Sequence, residues 1–497
     1  MKAKETLEKY YMYVTVFTTG AIVLVIEILG TRIIAPFYGT TIYVWCSLIG
    51  VTMLALAAGY FFGGILADRR PEPNMLYSII SAAAAFILII PIISKYVIPG
   101  SNLLGPRFGA LTSAVLLFSV PLILLGMVSP YAIKINEGKF GKIGTVAGSL
   151  YAVATAGSFA GAIITGFYLI PAIGINSIIL VFSILLIIIA SIGFMLNGKK
   201  NITLILPSIV ICLLYFMPDI FISRTFGPNI NILYEKQGVY GRIRAVEWKH
   251  IYRFIMIDGA VQTYFDMNKK EFNAPYIKMF EKAVDYRPGA KKVLSIGLGG
   301  GAINYLLSKR GIAVDTVEID PDIVYVAKKY FDFSGNVITE DGRHYLHKTG
   351  QKYDMVFIDA FNGYSICPYL LSKETFIETK KVLNNTNGII AINMMGYLFT
   401  DIDGNVSANR LVISLNKTLK QVFKNVYLKA GNKGLTSFVF YASDNAVRMD
   451  DQYINVTLGD TGKVLTDEDN PADFMASELI EKWRNYNISQ LGAALFI

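Results

Sequence analysis

The sequence predicts a two-part molecule: an N-terminal bundle of about seven transmembrane helices and a C-terminal Rossmann-like α/β domain, with a small β-hairpin subdomain between them. Three observations carry this. The 497-residue chain is 53% hydrophobic and 17% charged, too apolar for a wholly soluble protein of its size. The apolar excess is confined to residues 1–220. Beyond it, a strand–glycine turn–helix stretch at 292–310 is followed by strands that end in acids, the order of a doubly wound sheet. The expected boundaries are 1–220 for the helices, 221–290 for the β subdomain and 291–497 for the Rossmann-like domain.

Seven segments have spanning length, at about 20 apolar residues each. They are Tyr11–Phe37, Thr41–Ala67, Met75–Ile98, Phe108–Ile133, Thr145–Ile170, Asn176–Leu196 and Ile202–Met217. The first is too long for a signal peptide and lacks a small-residue cleavage pattern. The fifth is rich in small residues, which permits close helix packing. Glu27 and Arg32 lie in or near the first helix, where charge is costly and faces a polar interior or a partner. Loop cations such as Lys4, Lys9, Arg69, Arg70, Lys134 and Lys142 fall on the N-terminal side, whereas Lys95 and Arg107 fall on the other. That bias places the N-terminus in the cytoplasm. Seven crossings would then put the C-terminal domain outside, whereas a nucleotide-type cosubstrate calls for a cytoplasmic domain. The expectation adopted is a multi-pass protein of the cell (inner) membrane with its C-terminal domain cytoplasmic. The formal charge of +9 is dispersed and suits membrane-flanking loops rather than nucleic acid. Cys46, Cys212 and Cys367 are too far apart for a metal or disulfide pattern, so no metal is expected.

Residues 234–263 read as β-structure, with Asp258-Gly259 as a hairpin turn. Pro275–Ala283 reads as a helix. The doubly wound core opens with Val293-Leu294-Ser295-Ile296, the turn Gly297-Leu298-Gly299-Gly300-Gly301 and a helix over 302–310. The strand Val314–Ile319 carries Glu318, the next ends at Glu340-Asp341-Gly342, and the apolar strand over 353–358 delivers Asp359. Helices follow over Glu374–Leu383 and Arg410–Phe423, with strands over Gly388–Met394 and Ser437–Ala442. The acidic run Thr466–Asp469 reads as a solvated cap.

These strand ends face one crevice. Glycines at 297 and 299 let backbone approach a ligand and keep the helix N-terminus open. Glu318 is placed to accept ribose hydroxyls, and Asp341, acceptor-only when ionised, suits an exocyclic amine. Either acid alone also fits a helix cap. Together with the glycines they indicate an adenosine-containing ligand. Asp359 is either a turn cap or a base facing that ligand.

The region from Tyr234 to about Ala442 resembles the spermidine synthase (polyamine aminopropyltransferase) family. The resemblance rests on Asp258-Gly259-Ala260-Val261-Gln262-Thr263, the glycine turn, Val317-Glu318-Ile319-Asp320, Glu340-Asp341-Gly342 and the strand to Asp359. The first helices resemble the membrane-fused branch of that family, at Glu27-Ile28-Leu29-Gly30, Arg32, Ala35-Pro36, Gly63-Gly64 and Ala67-Asp68-Arg69. The resemblance implies a methyltransferase/spermidine-synthase fold and aminopropyl transfer from decarboxylated S-adenosylmethionine to a small-molecule amine or polyamine. It implies that Gln262 and Glu318 hold the nucleoside with Gly297, Gly299 and Gly342, that Asp341 meets the adenine, and that Asp359 is the base. A lipid membrane and a homodimer complete the expected partners.

Two departures stand out. Gly300 occupies the place of an aspartate that receives the donor's amino group in the family. Asn362 stands where an acid follows the base. A polycation needs carboxylates, so these losses weaken the case for putrescine. Two alternatives therefore stay open: methyl transfer or lyase/cyclase chemistry on intact S-adenosylmethionine, and a nucleoside-binding transporter or sensor without catalysis.

Overall fold

The computed structural model describes residues 2–39, 41–137, 142–197, 229–384, 387–400, 406–450, 453–458 and 461–491. The chain divides into two compact units, 1–225 with residue 497, and 226–496.

The first unit is helical. Its elements are α1 (Lys2–Tyr38), α2 (Ile42–Arg69), α3 (Pro73–Ser101), α4 (Gly105–Gly126), α5 (Val128–Asn136), α6 (Ile143–Ile164), α7 (Ile170–Ile173) and α8 (Ile175–Leu196). A π-helical turn, Thr165–Leu169, joins α6 to α7. Six helical stretches among the described residues are long and apolar enough to cross a membrane, from Thr6–Tyr38 to Ile175–Leu196. They correspond to the first six expected segments; the seventh, Ile202–Met217, lies outside the described residues. Small residues set the closest approach. A Cβ added at Gly157 would lie 2.0 Å from the Phe17 carbonyl oxygen, and one at Gly161 2.6 Å from that of Ala21. Only glycine allows α1 and α6 this contact. Gly59 and Gly63 of α2 do the same against Ile123 and Met127.

The second unit opens with five antiparallel strands: β1 (Ile230–Gln237), β2 (Arg242–Trp248), β3 (Tyr252–Ile257), β4 (Ala260–Asp266) and β5 (Glu271–Phe272). Asp258 (φ 46°) and Gly259 (φ 80°) make the two-residue β3–β4 turn, both in the left-handed region that this tight hairpin requires. Helix α9 (Pro275–Tyr286) leads into the main sheet.

That sheet is doubly wound. Its parallel strands are β6 (Lys292–Ile296), β7 (Ala313–Glu318), β8 (Asn336–Thr339), β9 (Met355–Ile358) and β12 (Ile389–Thr400), in the spatial order β8-β7-β6-β9-β12. Strands β10 (Phe361–Asn362) and β11 (Ser365–Ile366) form a small ribbon after β9. Beyond β12 come the antiparallel β15 (Gly434–Ser443), β14 (Asn425–Ala430) and β16 (Ile454–Asn455), and β13 (Val406–Ala408) pairs with β12. The crossover helices are α10 (Ala302–Lys309), α11 (Pro321–Tyr330), α12 (Gly342–Lys348), α13 (Lys373–Val382) and α14 (Arg410–Lys420), with α15 (Ala472–Leu491) last.

Both faces of the sheet are buried, so its strands read as continuous apolar runs. Met355 and Phe357 enter the core with α9, α10 and α11; Val356 and Ile358 enter the opposite core with α12, α13 and α14. Phe280 stacks on Phe357 at 4.8 Å. The acidic run at 466–469 is more than a solvated cap: the Asp467 carboxylate accepts from Arg343 at 2.7 and 2.6 Å, pinning this turn beside α12.

Candidate active site

The strand order reverses between β6 and β9, the switch point at whose carboxyl ends doubly wound sheets bind ligands. Gly297 opens the turn after β6. Its φ is +98°, and an added Cβ would fall 2.0 Å from the Asp359 carbonyl oxygen, so neither conformation nor space admits a side chain. Gly299 and Gly301 also have positive φ, turning the chain sharply into α10.

Glu318 ends β7. One carboxylate oxygen accepts the Leu298 N–H at 3.0 Å and the other the Asp320 N–H at 3.0 Å. Glu318 thereby ties the glycine turn to the start of α11. Burial pushes its pKa up to about 7, opposed by the backbone donors. A carboxylate has about four acceptor sites, so capacity for ribose hydroxyls remains. Asp320 caps α11, accepting the Asp322 N–H at 2.9 Å.

Asp341 ends the β8 connection and caps α12, with one oxygen accepting the His344 N–H at 2.8 Å. The Tyr369 hydroxyl also meets this carboxylate. A Cβ at Gly342 would lie 2.5 Å from Ile296 Cγ2, so glycine lets this turn close on β6. Gln262, from β4, donates its side-chain N–H to the Gly363 carbonyl at 2.9 Å. It links the hairpin to the loop after β9, a role that spacing alone did not indicate.

Asp359 sits half-buried at the end of β9. Its Oδ1 accepts from Asn393 Nδ2 at 2.9 Å, and the Tyr276 hydroxyl is its second partner. Burial raises its pKa to about 6 against those two donors. The same burial, with the Asp359 charge, drives the Tyr276 hydroxyl well above its ordinary value. Asn393 escapes sequence reasoning because it is brought beside Asp359 only by the parallel pairing of Ile392 with Ile358. A polar residue in the apolar run Ile389–Met394 is the signal that points to it.

The β1–β2 turn approaches the acids that follow β7 and β8. A Cβ at Gly238 would be 3.6 Å from an Asp320 carboxylate oxygen, and Tyr240 lies near Asp320, Asp341 and Glu318. Burial and those charges raise its hydroxyl pKa. At the centre of the glycine turn, the Gly300 N–H donates to the Thr263 hydroxyl at 2.8 Å. A Cβ at Gly300 would stand 2.7 Å from Thr263 Cγ2, so any side chain there requires Thr263 to move.

Residues 278–430 match the spermine/spermidine synthase domain model. The polyamine aminopropyltransferase of Vibrio vulnificus (strain CMCP6) is 36% identical over 142 residues, covering 26% of this chain and 48% of that protein. The chain thus spans about half the length of this relative. The polyamine aminopropyltransferase of Prochlorococcus marinus (strain MIT 9215) is 25% identical over 237 residues, 44% of this chain and 79% of its own. Among solved structures, spermidine synthase from Thermotoga maritima is 20% identical with a TM-score of 0.35, covering 43% of this chain and 73% of that one.

Proposed function

Because the C-terminal part of the chain contains a spermine/spermidine synthase domain, we propose that it transfers an aminopropyl group from decarboxylated S-adenosylmethionine to an amine, releasing methylthioadenosine. The observation that carries the reading is the placement of two acids about one glycine turn. Glu318 lies beyond it on β7, and Asp359 packs its backbone against Gly297 from β9. The first suits the ribose of an adenosyl donor. The second, held by Asn393 and Tyr276, is a base with a pKa of about 6.

In this mechanism the acceptor nitrogen attacks the propyl carbon bound to the sulfonium. The N–C bond forms, the C–S bond breaks, and the sulfur leaves as a neutral thioether. One proton passes from nitrogen to the Asp359 carboxylate. The sulfonium is already activated, so alignment and proton removal supply the catalysis. Gly297 and Gly299 give the donor close backbone approach, Asp341 and Gly342 border the adenine, and Gln262 fixes the loop over it. The apolar helices are read as membrane spans that hold the enzyme at a lipid bilayer.

A second reading, chemistry on intact S-adenosylmethionine, draws on Gly300: the turn offers no carboxylate to a donor's tail ammonium there and would not repel a tail carboxylate. Mass spectrometry of products decides between them. The purified full-length protein is incubated with each donor, with and without an amine mixture. Methylthioadenosine with an aminopropylated amine, from the decarboxylated donor alone, is the expected result. S-adenosylhomocysteine, or methylthioadenosine from the intact donor without an amine, overturns it.

A further inference from the structure

Helix α1 carries a carboxyl far inside its apolar span. Glu27 stands eleven residues before Tyr38, the end of the stretch Thr6–Tyr38, which is roughly 16 Å at the helical rise per residue. Among the described residues it has neither an ion pair nor a hydrogen bond. Arg32, five residues on and about 140° round the helix, does not pair with it. An ionised carboxyl at such a depth in a bilayer is costly unless a cation joins it.

Two hydroxyls lead to the same place. Thr31, one turn beyond Glu27, is buried, and its side chain leans back over the turn that carries Glu27. Hydroxyls inside a helix commonly bond the carbonyl four residues back, and Thr15 and Thr19 of α1 do so at 2.9 Å. The Thr31 Oγ1 does not: it is buried without a hydrogen-bond partner. The second hydroxyl comes from α6, which runs parallel to α1, with Gly157 against Phe17 and Gly161 against Ala21. Ser158 of α6 donates to the Gly20 carbonyl at 2.9 Å. Seven residues further along both helices stand Glu27 and Thr165, on the faces that Gly20 and Ser158 occupy two turns earlier. Thr165 opens the π-helical turn, is fully buried, and its hydroxyl too is unpartnered. Interruptions of this kind concentrate at functional sites.

Reading these helices as membrane spans, we propose that Glu27, Thr31 and Thr165 form a binding site for a primary ammonium inside the helical unit. One carboxylate and two hydroxyl oxygens match the three N–H groups of such a cation, and the carboxylate balances its charge. A hard divalent ion would call for about six or more oxygens. The ligand class is that of the acceptor in the aminopropyl-transfer reading, and to that extent the inference rests on it. The helical unit then does more than anchor the enzyme: it holds an amine within its apolar span.

The test is equilibrium dialysis of full-length protein in detergent micelles against radiolabelled n-butylamine, with empty micelles correcting for partition. Glu27→Gln should remove one equivalent of bound amine. Thr31→Val combined with Thr165→Val should keep that equivalent but weaken it about tenfold or more, as two lost hydrogen bonds to a charged group require. Equal binding by the parent and Glu27→Gln overturns the inference. So does displacement by tetramethylammonium, which has no N–H, or by Na⁺ at the concentration that unlabelled n-butylamine needs. If Glu27→Gln does not fold, the threonine variant decides, and unchanged affinity there overturns the site. Products judge the transfer reading separately. A lost equivalent without any aminopropylated amine from decarboxylated S-adenosylmethionine keeps the site and overturns transfer; aminopropylated amine without a lost equivalent does the reverse.

Discussion

At the scale of single residues, Asp359 makes the sharpest prediction. Its burial raises its pKa to about 6, so the base is lost as pH falls through that value and kcat/KM should fall with it. Asp359→Asn should lower turnover by roughly 10²–10⁴-fold while methylthioadenosine binding, measured by calorimetry, is kept. An equal loss of binding would refute the base assignment. The sign of the stability effect is also set. A carboxyl whose folded pKa is raised contributes stability below its ordinary range and loses it as pH rises through about 6. Above pH 6 the variant should therefore melt higher than the parent, a gain tied to lost function. The positions of Glu318, Asp341 and Asp359 were legible because each lies at or just beyond the end of a strand. The partners Asn393 and Tyr276 were harder to read, because sheet order and the packing of α9 bring them to Asp359, and neither is written in local spacing.

Among the elements, the glycine turn joins fold and site most directly. Gly297 meets backbone, the Asp359 carbonyl, which has no rotamer to yield. Gly297→Ala also forces a non-glycine residue to φ +98°. The expected cost is about 1–3 kcal/mol from conformation alone, with the clash added. Calorimetry of the variant should show a lower Tm, and nucleoside binding should weaken with it. An unchanged Tm and unchanged binding would mean that the turn is not held against β9. Local chemistry made this turn readable, as it did the Asp258-Gly259 hairpin. The turn at 466–469 was not readable: its partner Arg343 lies 124 residues away from Asp467, and an acidic run carries no mark of such a partner.

For the whole molecule, the side of the membrane on which the C-terminal unit lies depends on the number of crossings. Six stretches among the described residues are long and apolar enough to cross a membrane, and six crossings, an even number, would return the chain to the side of its N-terminus. The loop-cation bias favours a cytoplasmic N-terminus, the side on which a cytosolic adenosyl donor would be met. The single segment able to reverse this is Ile202–Met217, which carries Pro207 and is short for a full crossing. The prediction is a cytoplasmic catalytic unit. Paired reporter fusions after Asn197 and at the C-terminus, one reporter active only in the cytoplasm and one only outside it, measure both positions. Cytoplasmic signals at both sites are expected. An outside signal at the C-terminus alone would make Ile202–Met217 a true crossing, and a cytosolic donor could not then reach Glu318 and Asp359 without being carried across the bilayer.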